Sequence, residues 1–251
     1  MLEIKNVSKT FNPGTVNAKT ALNGLNLTLN DGDFVTVIGG NGAGKSTMLN
    51  AVAGTIQVDT GSIILDGRDI TRLPEFKRAA YLGRVFQDPM MGTAATMQIE
   101  ENLALADRRG KRRTLHPGIT QADRERYIEQ LKILDLGLEN RMTAKVGLLS
   151  GGQRQALTQR QMCIRDSPKT AAKVLEATQR IVEKNRLTTM MITHNMRDAI
   201  TYGNRLIMMY EGHVAVDVSG EEKKHLTVEQ LLELFSKASG SDEADDKLLL
   251  S

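Results

Sequence analysis

The residues with the most chemical content are Gly39, Gly40, Asn41, Gly42, Ala43, Gly44, Lys45 and Ser46, followed at once by Thr47. A glycine, four residues, then Gly-Lys-Ser is the spacing of a backbone loop that wraps a polyphosphate. Glycines let the main chain approach the oxygens, the amides and a following helix end supply positive potential, and Lys45 neutralises the outer phosphates. Ser46 can ligate magnesium, and Thr47 adds a second hydroxyl. A glycine-rich turn without a ligand is the bland alternative, but it does not explain the flanking sequence.

Those flanks are the elements that must position the loop. Phe34-Val-Thr-Val-Ile38 reads as a buried strand, and Lys45 to Ala53 as a short helix closed by Gly54. Upstream, Leu2 to Val7 and Leu22 to Leu29 alternate like strands, and Gly61 to Gly67 reads as a hairpin. A strand is expected near Tyr81 to Phe86, then helical periodicity to about Leu138. Further on, an amphipathic helix from Pro168 feeds a strand at Thr188–Thr193. A short helix, strands at Arg205–Tyr210 and Val214–Val218, and a helix from Val228 to Lys237 follow. Alternating strand and helix implies an α/β fold with a largely parallel sheet.

A second phosphate-binding candidate lies at Ser150, Gly151, Gly152 and Gln153, which open a predicted helix. Their backbone donors and the helix dipole suit a γ-phosphate, although a plain capped helix start would look similar. One chain already has one cradle, so a second makes sense if two copies face head to tail, each closing the other's site. Two single residues are ambiguous by themselves. His194, directly after a strand, is more often structural, and Phe11, ending an alternating strand, is as often core as a stacking partner.

Taken in order, the loop, Gln87 in Val85-Phe-Gln-Asp-Pro89, Leu149 to Gln153 and His194 give a chain that resembles the ABC transporter ATPase family along nearly its whole length. The resemblance implies a P-loop NTPase with a RecA-like, mostly parallel sheet and flanking helices. It adds an N-terminal antiparallel β subdomain and a helical insertion, with the core at about 1–88 and 154–220 and the insertion at about 89–153. The single domain would span 1–238, with 239–251 a disordered acidic tail. The implied cofactors are ATP and Mg2+. Phe11 would stack on adenine, Ser46 and Gln87 would serve the metal, Gln87 would link core to insertion, and His194 would contact the γ-phosphate. The implied partners are a second copy in a head-to-tail nucleotide sandwich, transmembrane permease subunits and an external solute-binding protein. The place implied is the cytoplasmic face of the cell membrane. Within the family, the chain looks most like ATPases of importers for amino-acid-like solutes, including the tryptophan/tyrosine type.

One part of the family pattern is missing. Between the Ser150 helix and the switch histidine these proteins carry a strand of four apolar residues ending in Asp-Glu. There the aspartate serves magnesium and the glutamate polarises the attacking water. From Arg154 to Pro168 no run of four apolar residues occurs, and the stretch reads as continued polar helix. The central Walker B strand is therefore expected to be absent, and hydrolysis to be impaired. A genuine degenerate subunit would explain this. So would an interrupted sequence, which is favoured because Arg160-Gln-Met-Cys-Ile-Arg-Asp166 resembles translated adapter sequence. Asp166 sits on no predicted strand.

Composition narrows the remaining classes. With 33 basic and 30 acidic residues, the net charge of +3 argues against nucleic acid as the main partner. A soluble ABC ATPase acting on DNA or ribosomes would show a long coiled coil or a second cassette, and neither is found. One cysteine excludes an internal disulfide and fits a reducing cytoplasm. No stretch approaches the apolar length needed to cross a membrane, and the first residues lack a secretory pattern.

Overall fold

The alternation at the start of the chain becomes a strand: in the computed structural model, β1 (Leu2–Phe11) buries Leu2, Ile4 and Val7 and turns Lys5 to solvent. The structure describes residues 1–84, 92–108, 117–132, 134–162, 182 and 187–239. After β1 come β2 (Lys19–Leu29), β3 (Phe34–Ile38), α1 (Lys45–Ala53), β4 (Thr60–Leu65), β5 (Arg68–Asp69) and α2 (Glu75–Arg78). Helices α3 (Ile99–Asp107), α4 (Gln121–Lys132) and α5 (Gly151–Met162) follow. The described elements end with β6 (Thr189–Ile192), α6 (Met196–Thr201), β7 (Arg205–Tyr210), β8 (His213–Ser219), α7 (Gly220–Lys224) and α8 (Val228–Ser239). Two compact units result, Met1–Glu75 with Val182–Ser251, and Phe76–Ile181. The expected boundary between 153 and 154 would cut α5, which runs unbroken, and the division falls later.

In the first unit β1 pairs antiparallel with both β2 and β4, and β4 turns back into β5, giving the order β2-β1-β4-β5. The turn is Asp66-Gly67, both at positive φ, which is the chemistry a two-residue hairpin demands. The second sheet has the order β6-β3-β7-β8, with β3 parallel to both neighbours and β8 antiparallel at the edge. All five residues of β3 are buried, as expected of a strand paired on both sides with both faces covered. Helices α6 and α8 cover one face through Ala199, Leu231 and Phe235, packed with Leu206, Met208 and Val218. The expected α/β architecture with a mostly parallel sheet is what the chain adopts.

The other edge of that sheet differs. Among the described residues no strand pairs with the far side of β6, and only Met191 of its four residues is buried. The stretch from Arg154 to Met162 is helical. Asp166 and the helix expected from Pro168 lie outside the described residues, as does the tail from residue 240 on. The strand expected at Tyr81–Phe86 is not formed over Tyr81–Arg84, and Val85 and Phe86 lie outside the described residues. The amides of Tyr81 and Leu82 both donate to the carbonyl of Arg78, at 2.9 Å each, closing α2 instead of entering a ladder.

The second unit is helical. Ile99 and Leu103 of α3, Tyr127 and Leu131 of α4, and Ala156 and Leu157 of α5 share one apolar core. At its rim the buried carboxylate of Glu100 accepts from Arg124 Nε and Nη2 at 2.8 and 3.1 Å, tying α3 to α4.

A buried cation links the C-terminal elements of the first unit to α6. Lys223, 2% exposed, reaches from α7 to donate to the carbonyls of Tyr202 and Gly203, the latter at 2.9 Å, just past the negative end of α6. Burial pushes its pKa down to about 8. Between that value and the ordinary one the unfolded chain holds more protons, so the native state gains stability as pH rises through this window. Comparing wild type with Lys223→Met in denaturant titrations isolates the effect. The wild-type protein is expected to gain about 1 to 2 kcal/mol relative to the variant between about pH 7 and pH 9.5. A constant difference across that range would contradict the assignment.

Candidate functional site

The loop after β3 is wedged between two strands. Gly39 has φ 145°, and a Cβ there would lie 2.3 Å from the carbonyl oxygen of Met209 in β7. Gly44 has φ 97°, and its Cβ would lie 2.4 Å from the carbonyl oxygen of Ala21 in β2. No other residue fits either place. Backbone bonds hold the same contact: Gly212 N donates to Ala43 O at 3.1 Å, and Asn23 N donates to Gly212 O at 3.1 Å. The loop, β2 and the turn from β7 to β8 are thus one hydrogen-bonded block.

Helix α1 begins at this loop with Gly44 as its N-cap, which offers no side-chain acceptor, and its first turn contains no acidic residue. Its positive end is left for something other than its own side chains. Beside it Lys45 is 6% exposed, and its ammonium donates to the carbonyls of Gly39 and Gly40, the second at 2.9 Å. Desolvation lowers its pKa. A buried ammonium held, among the described residues, by neutral carbonyls suits an incoming anion, which would supply a counter-charge.

These groups open on a cavity of about 250 Å³ lined by Phe11, Lys19, Ala21, residues 41–47 and His194. The structure therefore brings together Asn41, Gly42, Ala43, Gly44, Lys45, Ser46 and Thr47 with Phe11, whose ring is 38% exposed, and with His194 at the end of β6. Gly39 and Gly40 stand behind them through their carbonyls. Two lysines and no carboxylate line the cavity among the described residues. Lys19 and Ala21 escaped the sequence reading because their proximity depends on the register of β2, in which Lys19 is the cross-strand partner of Phe11.

Gln87 lies outside the described residues. Ser150, Gly151, Gly152 and Gln153 belong to the second unit, where Ser150 Oγ accepts from Gln153 N at 3.2 Å and Gln153 Oε1 accepts from Ser150 N at 3.3 Å. This reciprocal cap starts α5. A Cβ on Gly151 would meet nothing within 4 Å, so no close contact with described residues of this chain calls for glycine there.

The family model described as ABC transporter matches residues 22–169. Among curated relatives, a tyrosine transport ATP-binding protein of Clostridioides difficile is 41% identical over 95% of this chain and 100% of its own length. A spermidine/putrescine import ATP-binding protein of Haemophilus influenzae is 31% identical over 88% of this chain, which spans 59% of that longer relative. Among solved structures, the dimeric bacterial ABC transporter cassette MJ0796 is 27% identical with a TM-score of 0.73, over 87% of this chain and 98% of that one. The ADP conformation of the cassette MJ1267, 22% identical, shares the fold with a TM-score of 0.76 over 100% of this chain and 98% of the other.

The two glycine contacts give a direct test. Gly44→Ala places a Cβ against backbone at positive φ and is expected to cost about 2 to 4 kcal/mol of stability. Gly40→Ala, with open space and no positive φ, should cost less than about 1 kcal/mol. Equal denaturant midpoints for the two variants would show that the loop is not wedged as described.

Proposed function

Because the chain belongs to the ABC transporter family, we propose that it binds ATP in the cavity described above and couples it to solute movement through separate permease subunits. The single observation that carries this reading is the convergence of the loop, Phe11 and His194 on one cavity with two lysines. The half-exposed ring of Phe11 stacks on adenine. Amides of the loop and of the start of α1 receive the phosphates, and Lys45 exchanges its carbonyl partners for phosphate oxygens. Ser46 and Gln87 are the residues that would hold Mg2+, and the ion would neutralise phosphate charge. His194 meets the γ-phosphate from the end of β6.

The open space around Gly151 and the exposure of Ser150 support a role outside this chain: the amides at the start of α5 close the nucleotide site of a second copy, head to tail. The relatives support the solute class. The match to the tyrosine transport protein covers that relative's full length, so we assign the chain to an importer of a tyrosine-like amino acid at the cytoplasmic face of the membrane, served by an external solute-binding protein. No helix among the described residues is long and apolar enough to cross a membrane, and the permease must supply the path.

Hydrolysis is the weak step. No Asp-Glu pair ending an apolar strand lies between Arg154 and His194, so neither a magnesium aspartate nor a general base for water is provided. A positioned general base contributes about 100-fold to 10,000-fold. The purified chain is therefore expected to bind Mg-ATP in equilibrium dialysis, yet to turn it over at least about 100-fold more slowly than an intact homologue assembled with its permease. Turnover equal to that of the homologue sinks the claim of impaired hydrolysis, and absence of ATP binding sinks the nucleotide reading. A noncatalytic regulatory subunit is the second reading, favoured by the same missing carboxylates. Reading the gene across codons 155 to 170 separates it from an interrupted sequence: an uninterrupted read identical to this chain supports the regulatory subunit.

A further inference from the structure

Three positive features converge on the cavity, and one of them has no role so far. The N-terminal end of α1 and the buried ammonium of Lys45 are two. The third is Lys19. Its Nζ stands 3.2 Å from where a Cβ on Gly42 would be, over the glycine of the phosphate loop. Phe11 is its directly opposed partner in the antiparallel pair of β1 and β2, so both side chains leave the same face of the hairpin and line the same cavity.

Among the described residues no acidic group is paired with Lys19. Lys9, nearby on β1, is paired with Asp59 at 2.7 Å, and Lys45 is held by carbonyls. Lys19 has no hydrogen bond or ion pair with any described residue, and no carboxylate lines the cavity among them. The Lys19 ammonium, the Lys45 ammonium and the start of α1 add positive potential to one cavity, which favours an anion there. Although exposed, the ammonium lies over the loop rather than away from it.

We propose that Lys19 is a further nucleotide-binding residue, whose ammonium pairs with the phosphate chain from the side of the loop opposite Lys45. This rests on the reading of the cavity as an ATP site. The hairpin of β1 and β2 then recognises two parts of one ligand with two opposed residues: Phe11 takes the base, and Lys19 takes charge. Because Lys19 is exposed, its contribution is screened by salt, unlike that of Lys45.

Equilibrium dialysis of the full chain with Mg-ATP tests this without depending on hydrolysis. Lys19→Met and Lys19→Gln are each expected to weaken binding about fivefold, Lys19→Arg by less than about twofold, and the deficit should shrink as salt is raised. ATP binding by Lys19→Met equal to wild type overturns the proposal. So does full affinity in Lys19→Gln, which would assign the contact to a neutral hydrogen bond. Lys45→Met separates the two levels of the argument. If wild type binds, Lys45→Met does not, and the Lys19 variants match wild type, only the role of Lys19 falls. If wild type itself takes up no ATP, the nucleotide site falls with it.

Discussion

The carbonyl oxygens of Met209 and Ala21 stand where Cβ atoms on Gly39 and Gly44 would be, and the site follows from how closely the loop lies on β7 and β2. That closeness aims the amides and the start of α1 into the cavity. It also leaves Lys45 no route but inward, against the carbonyls of Gly39 and Gly40. Behind the loop, β3 is buried along its whole length and paired on both sides, so the platform does not give. The lining of the cavity is mostly backbone of the loop, with positive charge added by two lysines. The favourable interaction with an anion is prepared in advance by placing positive groups where the protein alone gains little from them.

The same sheet carries the site's weakness. His194 is delivered by β6, a strand of four residues with one buried side chain and, among the described residues, no partner on its far side. Before it, the chain is helical from Gly151 to Met162, and no Asp-Glu pair occurs between Arg154 and His194. With a ladder on one side among the described residues, β6 is held by fewer backbone hydrogen bonds than β3, which is paired on both sides.

Homologous cassettes form dimers, as in the dimeric structure that shares 27% identity with this chain. The start of α5 has the properties such an arrangement needs. Its cap is satisfied internally by Ser150 and Gln153, so the helix begins stably without a ligand, while the space around Gly151 remains open.

What could be read from residue types was the local chemistry. The apolar run of β3, the glycine closing α1 and the strand pattern at Arg205–Tyr210 all depend on contacts within a few positions, and they placed β3, α1 and β7 correctly. Over Tyr81–Arg84, the described part of the strand expected at Tyr81–Phe86, no strand forms because the amides of Tyr81 and Leu82 close a helical turn on Arg78, a competition between two local partners that periodicity does not resolve. Only the tertiary structure set Lys19 over Gly42, put His194 in the same cavity as Phe11, and left β6 at an edge among the described residues. Those facts are matters of strand register and order, which couple residues far apart in the chain, and the types of the residues themselves carry no record of them.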